Sequence, residues 1–339
     1  MRSLVQPRFH SALMGLVAGL MLCGCSQHEA TEGERTPPGP APASSTGISG
    51  IMQHSRPRVA LVMKSLANEF FKTMQDGAEA HQKLHSSDYD LVANGIENET
   101  DVARQIALVE GMVAQHVDAI VLAPADSKAL VPACAKALDA GIIVINIDNK
   151  LDSSALAEKR IQIPFVGPDN RKGARLAGAF LAKRLKPGDE VAILEGVPNA
   201  FNGIQRKLGF EDAAQAGHLR VVAAETGKWE TREANRVAGS LIPQHPELKG
   251  FLCANDSMAL GVVAALREAN KVGVQVVGFD NIQAVQQLIR DGKILCTVDQ
   301  HGDQIAVNGI LAALAILGKK AIPADKETPV DLITAQTLK

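Results

Sequence analysis

Aromatic residues are scarce, 3% of the 339 residues, with a single tryptophan and a single tyrosine. An aromatic side chain in a loop is therefore more informative here than usual. Charge of one sign is also lacking: the formal net charge is −2, so no basic surface for nucleic acid is expected. At 46% hydrophobic residues the composition is nonetheless that of a folded chain. Several chemical signatures are missing as well. No G-x-G-x-x-G follows the first strand-like run, and no G-x-x-x-x-G-K-[ST] occurs, so no dinucleotide or phosphate cradle is expected. No G-x-S-x-G nucleophile elbow is present. Five cysteines occur without C-x-x-C or Cys/His spacing, so neither a metal site nor a cofactor is expected. Cys134, Cys253 and Cys296 are scattered, the last two in apolar runs, and are read as buried, inert thiols. His81, His85 and His116 fall in or beside helices on solvated faces. None of this points to an enzyme.

What is present begins with a leader. Met1–His10 carries Arg2 and Arg8, and Ala12–Leu22 is apolar but too short to cross a bilayer. The expectation is a lipoprotein signal peptide over residues 1–24. Leu22-Cys23-Gly24-Cys25 is similar to a bacterial lipobox, with Cys25 the acylated residue. Residues 25–56 then form a Pro/Gly/Ser/Thr/Glu-rich tether that buries too little apolar surface to fold. A basic helix-turn-helix at this place would mark a repressor; signal and tether stand there instead.

The folded part is organised around Arg58–Gln82. Val59–Met63 is a continuous apolar run, the mark of a strand buried on both faces of a parallel sheet. Phe70, Met74, Gly77 and Ala78 then recur at helical spacing, predicting a helix from about Glu69 to Leu84. Asp90–Ala93, Ala119–Leu122 and Ile142–Ile147 read as further strands, separated by helices over Asp101–Gln115 and Ser127–Ala140. This βαβα alternation predicts a doubly wound parallel sheet.

The series then repeats. Val191–Leu194 echoes Val59–Val62, Val274–Gly278 echoes Ile142–Asn146, and Asp256–Leu260 echoes Asp126–Leu130, all at offsets of about 130 residues. The fold expected is α/β, two doubly wound lobes with a cleft between their strand carboxyl ends, where small ligands bind. Residues read from those ends are Lys64, Asn68, Phe70, Phe71, Asp148, Asn149, Trp229, Asn255, Asp280 and Gln300. Asp148 and Asp280 end matching strands, and Trp229 sits in a polar segment before a helix. Arg206, on spacing alone, is a solvated helix residue; counted with the others, it balances two cations against two acids. Amides that donate and accept, charged donors and flat apolar faces suit a small neutral ligand rich in hydroxyls.

VALVMKSLANEFF, DAIVLAPADSKAL, VINIDNK, FVGPDNRKGA, LCANDSMALG, VVGFDN and CTVDQHGDQIA together resemble the periplasmic sugar-binding proteins of the ribose and allose type, over essentially all of Arg58–Lys339. The resemblance implies a type I periplasmic-binding fold. It places Lys64, Asn68, Phe70 and Phe71 in the first binding loop and Asp148 with Asn149 after the fourth strand. Arg206, before the GF of RKLGF, becomes a ligand residue, alongside Trp229, Asn255, Asp280 and the hinge residue Gln300. Lys64 stands where ribose binders carry Ser, as in allose-type binders, and Asn149 where they carry Arg, which turns the expectation toward a hexose or polyol. Hinge crossings are implied near Pro168, Gln300 and Pro329. The lobes would then be 57–168 with 301–328, and 169–300 with 329–339. The resemblance further implies a monomer in the periplasm, held to the membrane by a lipid on Cys25. It would deliver its ligand to an ABC permease and ATPase, or alternatively dock on a membrane receptor or histidine kinase as a sensor.

Overall fold

The structure, a computed structural model, describes residues 56–338. The signal, Cys25 and nearly all of the tether lie outside them.

Val59–Met63 is fully buried and forms the middle of β1 (Arg58–Ser65). The chain continues through α1 (Glu69–Leu84), β2 (Asp90–Ile96), α2 (Val102–Ala114), β3 (Ala119–Leu122), α3 (Val131–Asp139), β4 (Ile143–Ile147), α4 (Ser153–Lys159) and β5 (Phe165–Pro168). A second series follows: α5 (Asn170–Ala182), β6 (Glu190–Glu195), α6 (Phe201–Ala216), β7 (Arg220–Thr226), α7 (Thr231–Gln244), β8 (Leu248–Cys253), α8 (Asp256–Glu268), β9 (Gln275–Val277), α9 (Gln283–Arg290) and β10 (Cys296–Asp299). The last elements are α10 (Gly302–Leu317), β11 (Lys326–Thr328) and β12 (Asp331–Thr334).

The strands form two six-stranded sheets, β11-β5-β4-β3-β1-β2 and β12-β10-β9-β8-β6-β7. Strand for strand the second order repeats the first, which is the internal repeat of the sequence made visible. Pairing is parallel throughout except between β10 and β12. The exception follows from connectivity. The chain passes between the lobes after β5, after β10 and between β11 and β12. β10 therefore runs toward the hinge while β12 leaves it.

Helix α1 matches its expected span. Asn68 caps it by accepting from Phe70 N at 3.1 Å, and Phe70, Phe71, Met74 and Ala78 form its buried stripe. Gly77 lies so close to α10 that a Cβ there would sit 2.5 Å from Asp303 Cβ. Two boundaries differ from expectation by more than two residues. Strand β2 runs on to Ile96 because Gly95 lets it pass β1; a Cβ at Gly95 would lie 2.6 Å from the Lys64 carbonyl oxygen. Helix α3 starts at Val131, not Ser127. The Asp126 carboxylate accepts from Lys128 N and Ala129 N, both at 2.8 Å, and holds the preceding residues in a turn.

Two apolar clusters fill the body. One packs α2, α3 and α4 on one face of the first sheet; the other takes in its opposite face, with α1 and α10, and the second lobe. Fully buried Gln105 on α2 donates to Met63 O and Ala123 O and accepts from Ala125 N, fixing the cleft ends of β1 and β3 together. Cys134, Cys253 and Cys296 are free and buried, and burial pushes the Cys134 thiol up to about 12.

Candidate functional site

Every strand named as a source of site residues ends on the same cavity, of about 210 Å³. Its wall holds Lys64, Asn68, Phe70, Phe71 and Asp148 from one lobe and Arg206, Trp229, Asn255 and Asp280 from the other, with Gln300 at a crossing. All ten are read from the sequence. Glu99 and Asn202 complete the lining and are not. All twelve are less than a tenth exposed, so the lobes are closed over the cleft.

On the first lobe the Lys64 ammonium lies 2.9 Å from Asp148 Oδ2 and 3.9 Å from Glu99 Oε2. Asn68 has two tasks: its carbonyl oxygen caps α1 and its Nδ2 donates to Glu99 Oε1 at 2.9 Å. Phe70 and Phe71 meet edge to face, 5.1 Å between centroids. Gly302 makes room for Phe70, since a Cβ there would be 2.7 Å from its ring.

On the second lobe Arg206 is wholly enclosed. Its Nε donates to Asn170 Oδ1 at 2.7 Å and its Nη1 to Ala254 O at 2.8 Å, with Asp280 Oδ1 at 3.4 Å. Its guanidinium stacks 3.7 Å above the Phe279 ring and 5.5 Å from that of Trp229. Asn170 opens α5 just past the first crossing, so the hinge and the arginine are directly joined. Asn255 caps α8 and donates to Trp229 O at 3.2 Å. The indole lies against Gly196, where a Cβ would come within 2.0 Å of it. Gln300 Nε2 donates to Asp280 Oδ1 at 2.7 Å, while its buried Oε1 accepts no hydrogen bond among the described residues.

Backbone strain concentrates here. Asp148 (φ 59°), Trp229 (φ 68°) and Asp280 (φ 121°) all have positive φ without being glycine. The two acids that end matching strands thus share an unusual backbone, which turns both carboxylates into the cleft.

Three acids, not two, face the two cations. Burial pushes the Glu99 carboxyl up to about 7, against the pull of Lys64 and Asn68. Burial also raises Asp280 well above the usual carboxylate range, opposed chiefly by Arg206. With one of the three acids protonated, two carboxylates stand against two cations, and a wall so balanced suits an uncharged guest.

Asn149 is the correction. It does not line the cavity: its Nδ2 donates to Pro124 O at 2.9 Å and its Oδ1 accepts from Asn202 N at 3.1 Å. The turn after β4 sends the side chain of Asp148 into the cleft and that of its neighbour into the lobe contact. Among the described residues no group of side chains could hold a metal ion, and no helix is long and apolar enough to cross a membrane.

Two matched lobes closed by a three-strand hinge over a small polar cavity define a solute-binding protein. A family model described as "Periplasmic binding protein domain" matches residues 59–321, and the chain belongs to that family. It is 55% identical over 285 residues to the D-ribose/D-allose-binding protein of Pseudomonas aeruginosa, covering 83% of this chain and 89% of that one. An ABC transporter solute-binding protein of Burkholderia multivorans, solved with an unknown ligand represented as α-D-erythrofuranose, superposes with a TM-score of 0.81. It is 54% identical, over 83% of this chain and all of that one. The Actinobacillus succinogenes ABC transporter protein with bound D-allose is 35% identical, with a TM-score of 0.77, over 83% and 98% of the two chains. The protein is a binding protein for transport and not an enzyme.

Proposed function

We propose that the chain captures a single neutral monosaccharide, an aldohexose or aldopentose of the D-allose or D-ribose type, and presents it to an ABC permease and its ATPase. The observation that carries this reading is the composition of the cavity wall. Lys64 and Arg206 supply charged donors, the carboxylates and Gln300 supply acceptors, and three aromatic faces stand among them. A sugar ring presents hydroxyls at its rim and C–H bonds on its faces, which is the complement of that wall. The names of the relatives favour D-allose and D-ribose within the class. The ligand contacts are Lys64, Asn68, Phe70, Phe71, Glu99, Asp148, Asn202, Arg206, Trp229, Asn255, Asp280 and Gln300. The lobes are 57–168 with 301–328 and 169–300 with 329–339, working as a monomer in the periplasm. An acylated Cys25 ties the domain to the membrane through its tether.

Calorimetric titration with D-allose, D-ribose, D-glucose and myo-inositol tests the ligand. One of the first two should bind at least tenfold more tightly than the last two; no binding of D-allose or D-ribose would sink the assignment. Metabolic palmitate labelling tests the anchor, and label should be lost in Cys25→Ser. A neighbouring gene for a histidine kinase in place of a permease would favour a sensory role.

A further inference from the structure

Helices that open onto the cleft need acceptors for their first backbone N–H groups. Three first-lobe helices carry their own: Asn68 caps α1, Asp101 caps α2 and Asp152 caps α4. In the second lobe α8 is capped by Asn255. Helices α3, α6, α7, α9 and α10 make no side-chain cap of their own. At α6 and α9 the N-cap residues are Ala200 and Ile282, whose side chains hold no acceptor.

The caps missing from these two come from the other lobe. Phe201 N donates to Ser127 Oγ at 3.0 Å and Asn202 N to Asn149 Oδ1 at 3.1 Å, at the start of α6. Ser127 N donates back to Asn199 O at 3.2 Å. At the start of α9, Gln283 N donates to Glu69 Oε1 at 2.6 Å. The strands that lead into these helices, β6 and β9, are separated by β8, so the lobes are joined at two distinct places. Glu69 also brings a negative charge to the positive end of α9, a favourable placement.

We propose that Ser127, Asn149 and Glu69 are closure residues that cap α6 and α9 across the cleft. Opening returns those amides to water and closing satisfies them, with no ligand atom involved. Their contribution therefore sets the fraction of closed protein and scales the apparent affinity for every ligand by one factor. Cavity-wall residues act differently, because each favours some hydroxyl arrangements over others. The closing of the cleft belongs to the proposed function; the inference adds which residues outside the cavity set its equilibrium.

Ser127→Ala, Glu69→Ala and the double variant test this, with Ser127→Thr retaining the hydroxyl. Titration with D-allose and with D-ribose should show each single variant weakened about three- to tenfold for both sugars, and the double variant more. The ratio of the two affinities should stay within about twofold of wild type, and Ser127→Thr should bind nearly as wild type does. Equal binding by the double variant and wild type overturns the proposal. A changed ratio overturns it too, since the residues would then be reading the sugar itself. A second arm needs no sugar. Disulfide formation in a Ser127→Cys/Asn199→Cys protein, whose backbones touch at 3.2 Å only when the lobes meet, counts visits to the closed form. Adding Glu69→Ala should slow that trapping about three- to tenfold, and an equal rate overturns the proposal. If neither sugar binds wild type, the ligand assignment fails, and the trapping arm alone decides the closure residues.

Discussion

Lys64 is a charge held where water is excluded. Its ammonium is paired with Asp148 at 2.9 Å, beneath the rings of Phe71 and Trp229 at 5.6 and 5.9 Å. A charged donor to a buried hydroxyl is worth about 1.5–3 kcal/mol, so Lys64→Met should weaken sugar binding roughly ten- to a hundredfold. Affinity unchanged within about threefold, measured calorimetrically, would remove Lys64 from the ligand contacts. Glu99 makes a different prediction. Its carboxyl is raised by burial from the ordinary 4.5 to about 7, so the folded chain keeps a proton that the unfolded chain releases. The stability this lends is complete below pH 4.5 and is lost as pH rises through about 7. The full loss is at most about 3 kcal/mol, with Lys64, Asp148 and Glu230 the charges that face the group. Glu99→Gln removes the titration. Urea melts should show the variant gaining on wild type by about 1–3 kcal/mol between pH 5 and 8. A difference that stays flat with pH would refute the raised carboxyl.

Among the elements, the loop into α7 and the glycine beneath it define the indole's place. Lys228 and Trp229 both adopt positive φ, and Gly196 leaves the space the ring fills. Gly196→Ala should push the ring into the cavity and weaken binding by at least tenfold, about 1.4 kcal/mol. The emission change of the single tryptophan on adding sugar should shrink with it; full affinity in that variant would show the ring free to move. The elements also show what could be read beforehand. Buried strands and the α1 stripe were legible because apolar periodicity reports burial directly, as in Val59–Met63 and Phe70–Ala78. Asn202 left a signal, for it lies four residues before Arg206 on one helix face. Glu99 left less: it sits in a Glu/Asn/Thr turn that reads as solvated, and only its nearness to Lys64 in space buries it. Asn149 shows the limit of strand-end reasoning, since adjacent residues in a turn aim in different directions. The start of α3 lies past its expected place for a related reason: Asp126 has a local hydrogen-bonding alternative to the helix, which periodicity does not see.

For the whole molecule, closing should be measurable as compaction. With contacts in both lobes, saturating sugar should lower the radius of gyration in small-angle scattering of the ligand-free chain. An unchanged radius with binding confirmed would argue against a moving hinge. The three crossings carry a further consequence, in time and not in space. The first sheet takes β1 to β5 from the start of the domain, but its edge strand β11 and the helix α10 that covers one of its faces come from the end. At Gly309 that helix lies so near the sheet that a Cβ would be 2.7 Å from Ile147. A chain emerging amino end first therefore cannot finish its first lobe until its second has been made. Until then Val121, Ile145 and Ile147 lack the cover of α10, and long-range contacts of this kind slow folding. A fragment ending at Pro168 should accordingly expose apolar surface, bind a hydrophobic dye and lack a cooperative melt. Adding residues 301–328 as a separate peptide should restore part of that order, because what the early lobe waits for is the last stretch of its own sequence.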